Sequence, residues 1–154
     1  MSDYFKNINE IKFEGENSTN PLSFRFYDEN KIVMGKKMKD HLRFATCYWH
    51  TFTWPGLDPF GGPTFDRPWM TSSDPLKMAE MKLNEAFDFF QKIKTPFFCF
   101  HDRDISPEGS NYKETQNNFF HIIDLMESKM EETGTQLLWG TANAFSHKRY
   151  MSGA

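Results

Sequence analysis

The residues Phe97-Phe98-Cys99-Phe100 run directly into His101, and Asp104 follows three positions later. An apolar run of this kind reads as a strand buried on both faces. In a parallel α/β architecture the carboxyl end of such a strand is where chemistry is done. A histidine there is placed to act as a general acid or base, and an aspartate three residues on can orient its ring and fix its tautomer. A satisfied polar contact with no catalytic role is the competing reading of the same pair. Asp102 and Asp104 are neighbours, but two carboxylates on one strand-end loop do not complete a six-oxygen metal cage.

The elements around this pair can be read from periodicity. Residues 1–33 lack a single clear period, and residues 1–42 together read as an N-terminal extension wrapped on a larger body. Within it Leu22 to Tyr27 is a short extended piece. Met34, Met38 and Leu42 fall on one face of a short helix. Arg43 to Trp49 is the first strand candidate. His50 to Ser73 is a long loop rich in proline and glycine that carries Phe52, Trp54, Phe60, Phe65 and Trp69. Loops of that length inside a compact domain are usually functional, and large aromatics on one need something to dock against.

Ser73-Asp74-Pro75 opens a helix, with a capping side chain before a first-turn proline. Ala79, Leu83, Ala86, Phe87, Phe90 and Ile93 recur at helical spacing to form its apolar face. The strand Pro96 to His101 follows, then a loop from Asp102 to Ser110. A second helix runs from about Asn111 to Thr133, with Asn111 and Glu114 at capping-box spacing and Gly134 as its stop. Phe119, Ile122, Ile123, Met126 and Met130 form its buried face. A last strand spans Gln136 to Ala142.

Strand, helix, strand, helix, strand makes two successive βαβ units and a parallel sheet, each helix covering one side. No glycine-rich turn follows any strand, so dinucleotide-binding and P-loop folds are disfavoured. The expected fold class is α/β, an incomplete TIM (β/α)8 barrel over residues 43–154. Such a barrel needs ~250 residues and eight strands, and this chain has 154.

The net charge of −3 and the lack of long Lys/Arg runs argue against a nucleic-acid partner. No apolar run approaches the ~20 residues of a membrane span. Met1-Ser2-Asp3-Tyr4 lacks the build of a signal peptide, and Cys47 and Cys99 read as small core residues in a reducing compartment, which points to the cytoplasm. Seventeen phenylalanines and four tryptophans exceed what a small core needs and hint at surface for a partner.

Four segments resemble the xylose isomerases, in order and spacing. They are Lys36-Lys37-Met38-Lys39-Asp40-His41-Leu42-Arg43-Phe44, Trp49-His50-Thr51-Phe52, Phe98-Cys99-Phe100-His101-Asp102-Arg103-Asp104 and Leu137-Leu138-Trp139-Gly140-Thr141-Ala142-Asn143. The chain is most similar to the longer-N-terminus class, and the resemblance runs from about Tyr4 to Ala154. It covers only the amino-terminal part of a family member. It implies a TIM barrel, usually tetrameric, that interconverts D-xylose and D-xylulose, and D-glucose and D-fructose, with two divalent ions (Mg, Mn or Co). His101 then matches the family's ring-opening histidine and Asp104 its orienting partner. Trp49 and Phe145 match aromatic walls of the sugar site, and Thr141 a polar position beside it. Phe60 matches the loop phenylalanine that reaches a neighbouring subunit.

Read from the residues alone, Trp49 and Phe145 serve equally as lining or packing, and Trp139 and Phe97 read as core. His50, His121 and His147 carry no partner signature, His121 being structural or solvated. The family's metal ligands lie on later strands, so this chain alone is expected to bind no metal and to be inactive. The chain reads as a fragment, a truncated product or one piece of a split barrel. Two rivals remain: a non-catalytic module that associates with a complementary isomerase piece, and a different sugar-processing barrel enzyme sharing the His–Asp device.

Overall fold

The structure, a computed structural model, describes residues 4–56, 61–145, 147 and 150. The N-terminal stretch contacts the rest of the chain at several points. The Ile11 amide donates to the Lys92 carbonyl (2.7 Å), and Phe5 packs on Trp69 and Phe89. A single parallel bridge joins Phe13 to Phe24. Lys94 pairs with both Glu10 (2.9 Å) and Glu29 (3.0 Å), tying two points of the extension to one residue.

Strands β1 (Ile32–Val33) and β2 (Lys36–Lys37) form an antiparallel hairpin, and α1 (Met38–His41) follows. The helix expected from Met34 to Leu42 is therefore confined to Met38–His41. Met34 and Gly35 both take positive φ, 48° and 81°, which a two-residue hairpin turn requires at its centre. The chain reverses there, and Met34 is 93% exposed.

The first strand of the main sheet, β3 (Ala45–Cys47), is shorter than the 43–49 expected. The backbone coils into a π-helical turn over Trp49–Thr53, and a 3₁₀ turn follows at Pro68–Met70. The aromatics expected on the 50–73 loop are buried only in part. Phe52 and Trp69 are buried, with Trp69 Nε1 donating to the Phe52 carbonyl (2.9 Å), whereas Trp54 and Phe65 are half-exposed. Phe60 lies outside the described residues.

Helix α2 (Pro75–Ile93) starts where Asp74 Oδ1 accepts from the amides of Leu76 (2.9 Å) and Lys77 (3.2 Å). β4 (Phe97–His101) leads straight into α3 (Asp102–Ile105), so the expected 102–110 loop opens with a helical turn. The Asp104 carboxylate accepting the His101 amide holds that turn closed. Helix α4 (Tyr112–Thr133) is capped by Asn111 Oδ1, which accepts the Glu114 amide (3.0 Å). The capping box is incomplete, because Glu114 turns back on the Ser110 amide (2.8 Å) instead of the Asn111 amide. Gly134, at φ 74°, ends the helix, and β5 (Gln136–Thr141) follows.

β3, β4 and β5 form a parallel sheet in that order, with Cys47 opposite Cys99 and His101 opposite Thr141. The α/β class and both βαβ units are as the sequence predicts. The helices differ from expectation in sharing one face of the sheet. Phe87 and Phe90 of α2 and Ile122 and Met126 of α4 close over Phe98 and Phe100. Phe90 and Phe98 stack at 5.3 Å, 21° apart. A Cβ at Gly140 would meet the Phe100 ring at 3.0 Å, so β5 needs a glycine to lie beside it. β5 is an outer strand, and all six of its residues are exposed. Trp139, read as core, is 41% exposed for that reason.

Phe90→Ala should cost about 3–5 kcal/mol by cavity formation, whereas Phe26→Ser, at a ring 81% exposed, should stay within about 0.5 kcal/mol. Urea midpoints of the two variants check this contrast.

Candidate functional site

The buried character of β4 ends at His101. Asp104 Oδ2 accepts two bonds from this one residue, from its backbone amide (2.9 Å) and from ring Nδ1 (3.0 Å). A carboxylate can only accept, so Nδ1 carries the hydrogen and Nε2 presents a lone pair. The geometry is protected: the side chains of His101 and Asp104 are 14% and 7% exposed.

The two strands flanking β4 bring aromatic rings to this imidazole. The π-helical turn after β3 places Trp49 with its ring centre 4.6 Å away. β5 contributes Trp139 at 6.0 Å, and the segment after β5 contributes Phe145 at 5.6 Å. That segment is anchored by the Asn143 amide, which donates to Asp102 Oδ1 (2.8 Å), itself bonded to the Arg103 amide. A cleft of about 420 Å³ is lined by Trp49, His50, Trp54, His101, Asp104 and Phe145, among others. Four of the sequence-predicted site residues, His101, Asp104, Trp49 and Phe145, therefore meet. Thr141 is exposed on β5 in register with His101 but does not line the cleft.

Lys82 of α2 also reaches this region. Its Nζ donates to Thr53 Oγ1 (3.3 Å), and that hydroxyl donates to the Asp104 carbonyl (3.4 Å). Burial pulls the amine down to about 8, against the opposing pull of the Asp104 charge. Burial, reinforced by Asp104, pushes the Tyr48 phenol up. Sequence reasoning missed Lys82 and the place of Trp139 in the ring cluster. The signal for Lys82 was its position between Ala79 and Ala86 on the apolar stripe.

The other histidines find partners. His121 meets Glu80 Oε1 (2.7 Å) and joins α4 to α2, the structural role. His147, read without a partner, meets Glu108 Oε1 (3.0 Å), where Arg103 also pairs (2.6 Å). The His147 hydrogen bond, then the Arg103 charge, hold the Glu108 carboxyl below its usual range. These groups border a second cavity of about 550 Å³, lined also by Asp102, Tyr112 and Asn143. Among the described residues no group of three His, Cys, Asp or Glu side chains is placed to hold a metal ion. Among them also, no helix is long and apolar enough to cross a membrane.

A parallel βαβ sheet with a histidine–carboxylate pair and aromatic walls at its carboxyl end belongs to the α/β class whose sites form at strand ends. Comparison with known proteins narrows this. The chain is 59% identical over 154 residues to the xylose isomerase of Photobacterium profundum, covering 100% of this chain and 35% of that protein. It is 54% identical over 154 residues to the xylose isomerase of Pseudoalteromonas atlantica, covering 100% and 35%. It is 56% identical over 151 residues to that of Allorhizobium ampelinum, covering 98% and 34%. No family model matches the chain. The chain is homologous to the amino-terminal part of the xylose isomerases, and spans about a third of the length of the curated relatives it matches.

The Lys82 amine offers a pH test. It binds its proton less tightly folded (about 8) than at its ordinary 10.5. Between those values the unfolded state holds more protons, so folding gains stability as pH rises through that window. Urea unfolding should show the wild type gaining on Lys82→Met by up to about 3 kcal/mol from pH 8 to 10.5. A difference that does not change with pH would contradict the buried amine.

Proposed function

We propose that residues 43–154 form the opening part of a TIM (β/α)8 barrel in an aldose–ketose isomerase, with residues 1–42 as an extension. The substrates are D-xylose and D-glucose, and the working protein is a cytoplasmic homotetramer. The observation that carries this reading is the Nδ1–Asp104 bond, which leaves Nε2 as the acceptor of an imidazole that lines a cleft together with Trp49 and Phe145.

Opening a cyclic sugar moves a proton. The anomeric hydroxyl loses one as the bond between the anomeric carbon and the ring oxygen breaks, and the ring oxygen gains one. The lone pair on Nε2 takes the first proton, and the imidazolium then formed is stabilised by Asp104. Its return to the ring oxygen restores the neutral ring. Aromatic faces suit the C–H faces of a sugar and keep water from the open-chain form. The family resemblance gives Thr141, in register with His101, a polar place near the sugar, and gives Phe60 a role at a neighbouring subunit's site.

The family's reaction uses two divalent ions (Mg, Mn or Co). The described residues offer no ligand set for them. In this reading their ligands come from parts of the enzyme beyond these residues, and the 154-residue chain alone neither binds the ions nor isomerises sugar.

The test is a chimera in which this chain replaces the matching segment of the Photobacterium profundum xylose isomerase. His101→Asn in it should lower turnover of cyclic xylose by about 10²–10⁴ and leave metal affinity nearly intact. Unchanged turnover would sink the assignment. The isolated chain exposes every residue of β5 along an open sheet edge, a template for pairing with other chains. Light scattering should show multimers, and a xylulose assay with added magnesium should stay at background. A monodisperse, active monomer would contradict both expectations.

A further inference from the structure

The buried stripe of α2 carries one charged side chain that packing does not explain. Ala79, Leu83, Ala86, Phe87 and Phe90 are apolar, and Lys82 lies among them at 8% exposure. An apolar residue of similar volume would avoid the cost of desolvating an amine. What Lys82 does instead is make a connection. Its Nζ donates to Thr53 Oγ1 (3.3 Å), and Thr53 Oγ1 donates to the Asp104 carbonyl (3.4 Å). Thr53 closes the π-helical turn that opens at Trp49. Asp104 grips the His101 ring. One amine therefore links, through one hydroxyl, the turn that carries the aromatic wall to the turn that carries the carboxylate.

We propose that Lys82 is a positioning residue for the His101–Asp104 pair, fixing the Trp49 turn against α3 through Thr53 and balancing the Asp104 carboxylate with its ammonium charge. This rests on the reading of His101 as the ring-opening group. Lys82 does not touch the sugar and is not among the cleft-lining residues. The titratable groups that face its amine are Asp104 of α3 and the Tyr48 phenol, whose ring centre lies 6.0 Å from Nζ. With its proton affinity near 8, the amine carries the balancing charge at neutral pH and loses it in mild alkali.

The experiment uses the full-length chimera with magnesium and xylose. Lys82→Met should lower kcat about tenfold, the usual scale for a group that orients a reacting one, with KM and metal affinity nearly unchanged. The acid limb of kcat should move to higher pH, because loss of a nearby positive charge makes the imidazole easier to protonate. Lys82→Arg should restore both kcat and the limb, since it keeps the charge. Thr53→Val keeps the charge but removes the link, and should lower kcat without moving the limb. Wild-type kcat and pH profile in Lys82→Met would overturn the proposal, as would an arginine variant no better than the methionine one. If Lys82→Met does not fold, Thr53→Val with full kcat overturns it. His101→Asn run alongside separates the two readings. Full activity there refutes the ring-opening role itself, whereas its loss beside an unaffected Lys82→Met removes only the role given to Lys82.

Discussion

The Asp104 carboxylate accepts from the His101 backbone and from the His101 ring through the same oxygen. The first bond ends β4 and starts α3, and the second selects the tautomer. Folding and chemistry are thus linked at one atom. A carboxylate with 7% of its side chain exposed is costly to bury unless it is hydrogen-bonded. The strand must therefore stop where the histidine can reach it. The short α3 helix, the direction of the imidazole and the free lone pair on Nε2 all follow from that constraint.

Around this pair the sheet divides its two sides. One face is filled by phenylalanine from α2 and β4 and by aliphatic side chains from α4, with Phe90 and Phe98 stacked at its centre. The strand ends carry indole and phenyl rings that stay partly open, with Trp139 41% and Phe145 67% exposed. A sheet whose core is complete on one side and whose β5 is exposed throughout suits the beginning of a larger structure. The homology over about a third of the length of full xylose isomerases agrees with that picture.

Local chemistry made much of this legible. Asp74-Pro75 and Gly134 mark helix ends because a side-chain acceptor, a missing amide and a positive φ act within a few residues. The His101 and Asp104 pairing was legible because three residues is the reach of a single helical turn. What was not legible depended on tertiary context. Met34 takes a positive φ that only the hairpin around it accounts for. Trp139 looks like a core residue until β5 is known to be an outer strand. Lys82 sits on the apolar stripe of α2, but its link to the site shows only once Thr53, distant in sequence, is brought to its amine. Phe60 falls outside the described residues, and its intersubunit role rests on resemblance alone.

The central claim is that His101 is held as the Nδ1–H tautomer with Nε2 free. Nitrogen NMR of the ¹⁵N-histidine-labelled protein at neutral pH reads this directly, with the His101 signals assigned by their loss in His101→Asn. The account predicts a protonated Nδ1 and an unprotonated Nε2 in the folded chain. A hydrogen on Nε2 and a bare Nδ1 would contradict it, because the Asp104 carboxylate would then face a lone pair and could neither orient the ring nor stabilise its protonated form.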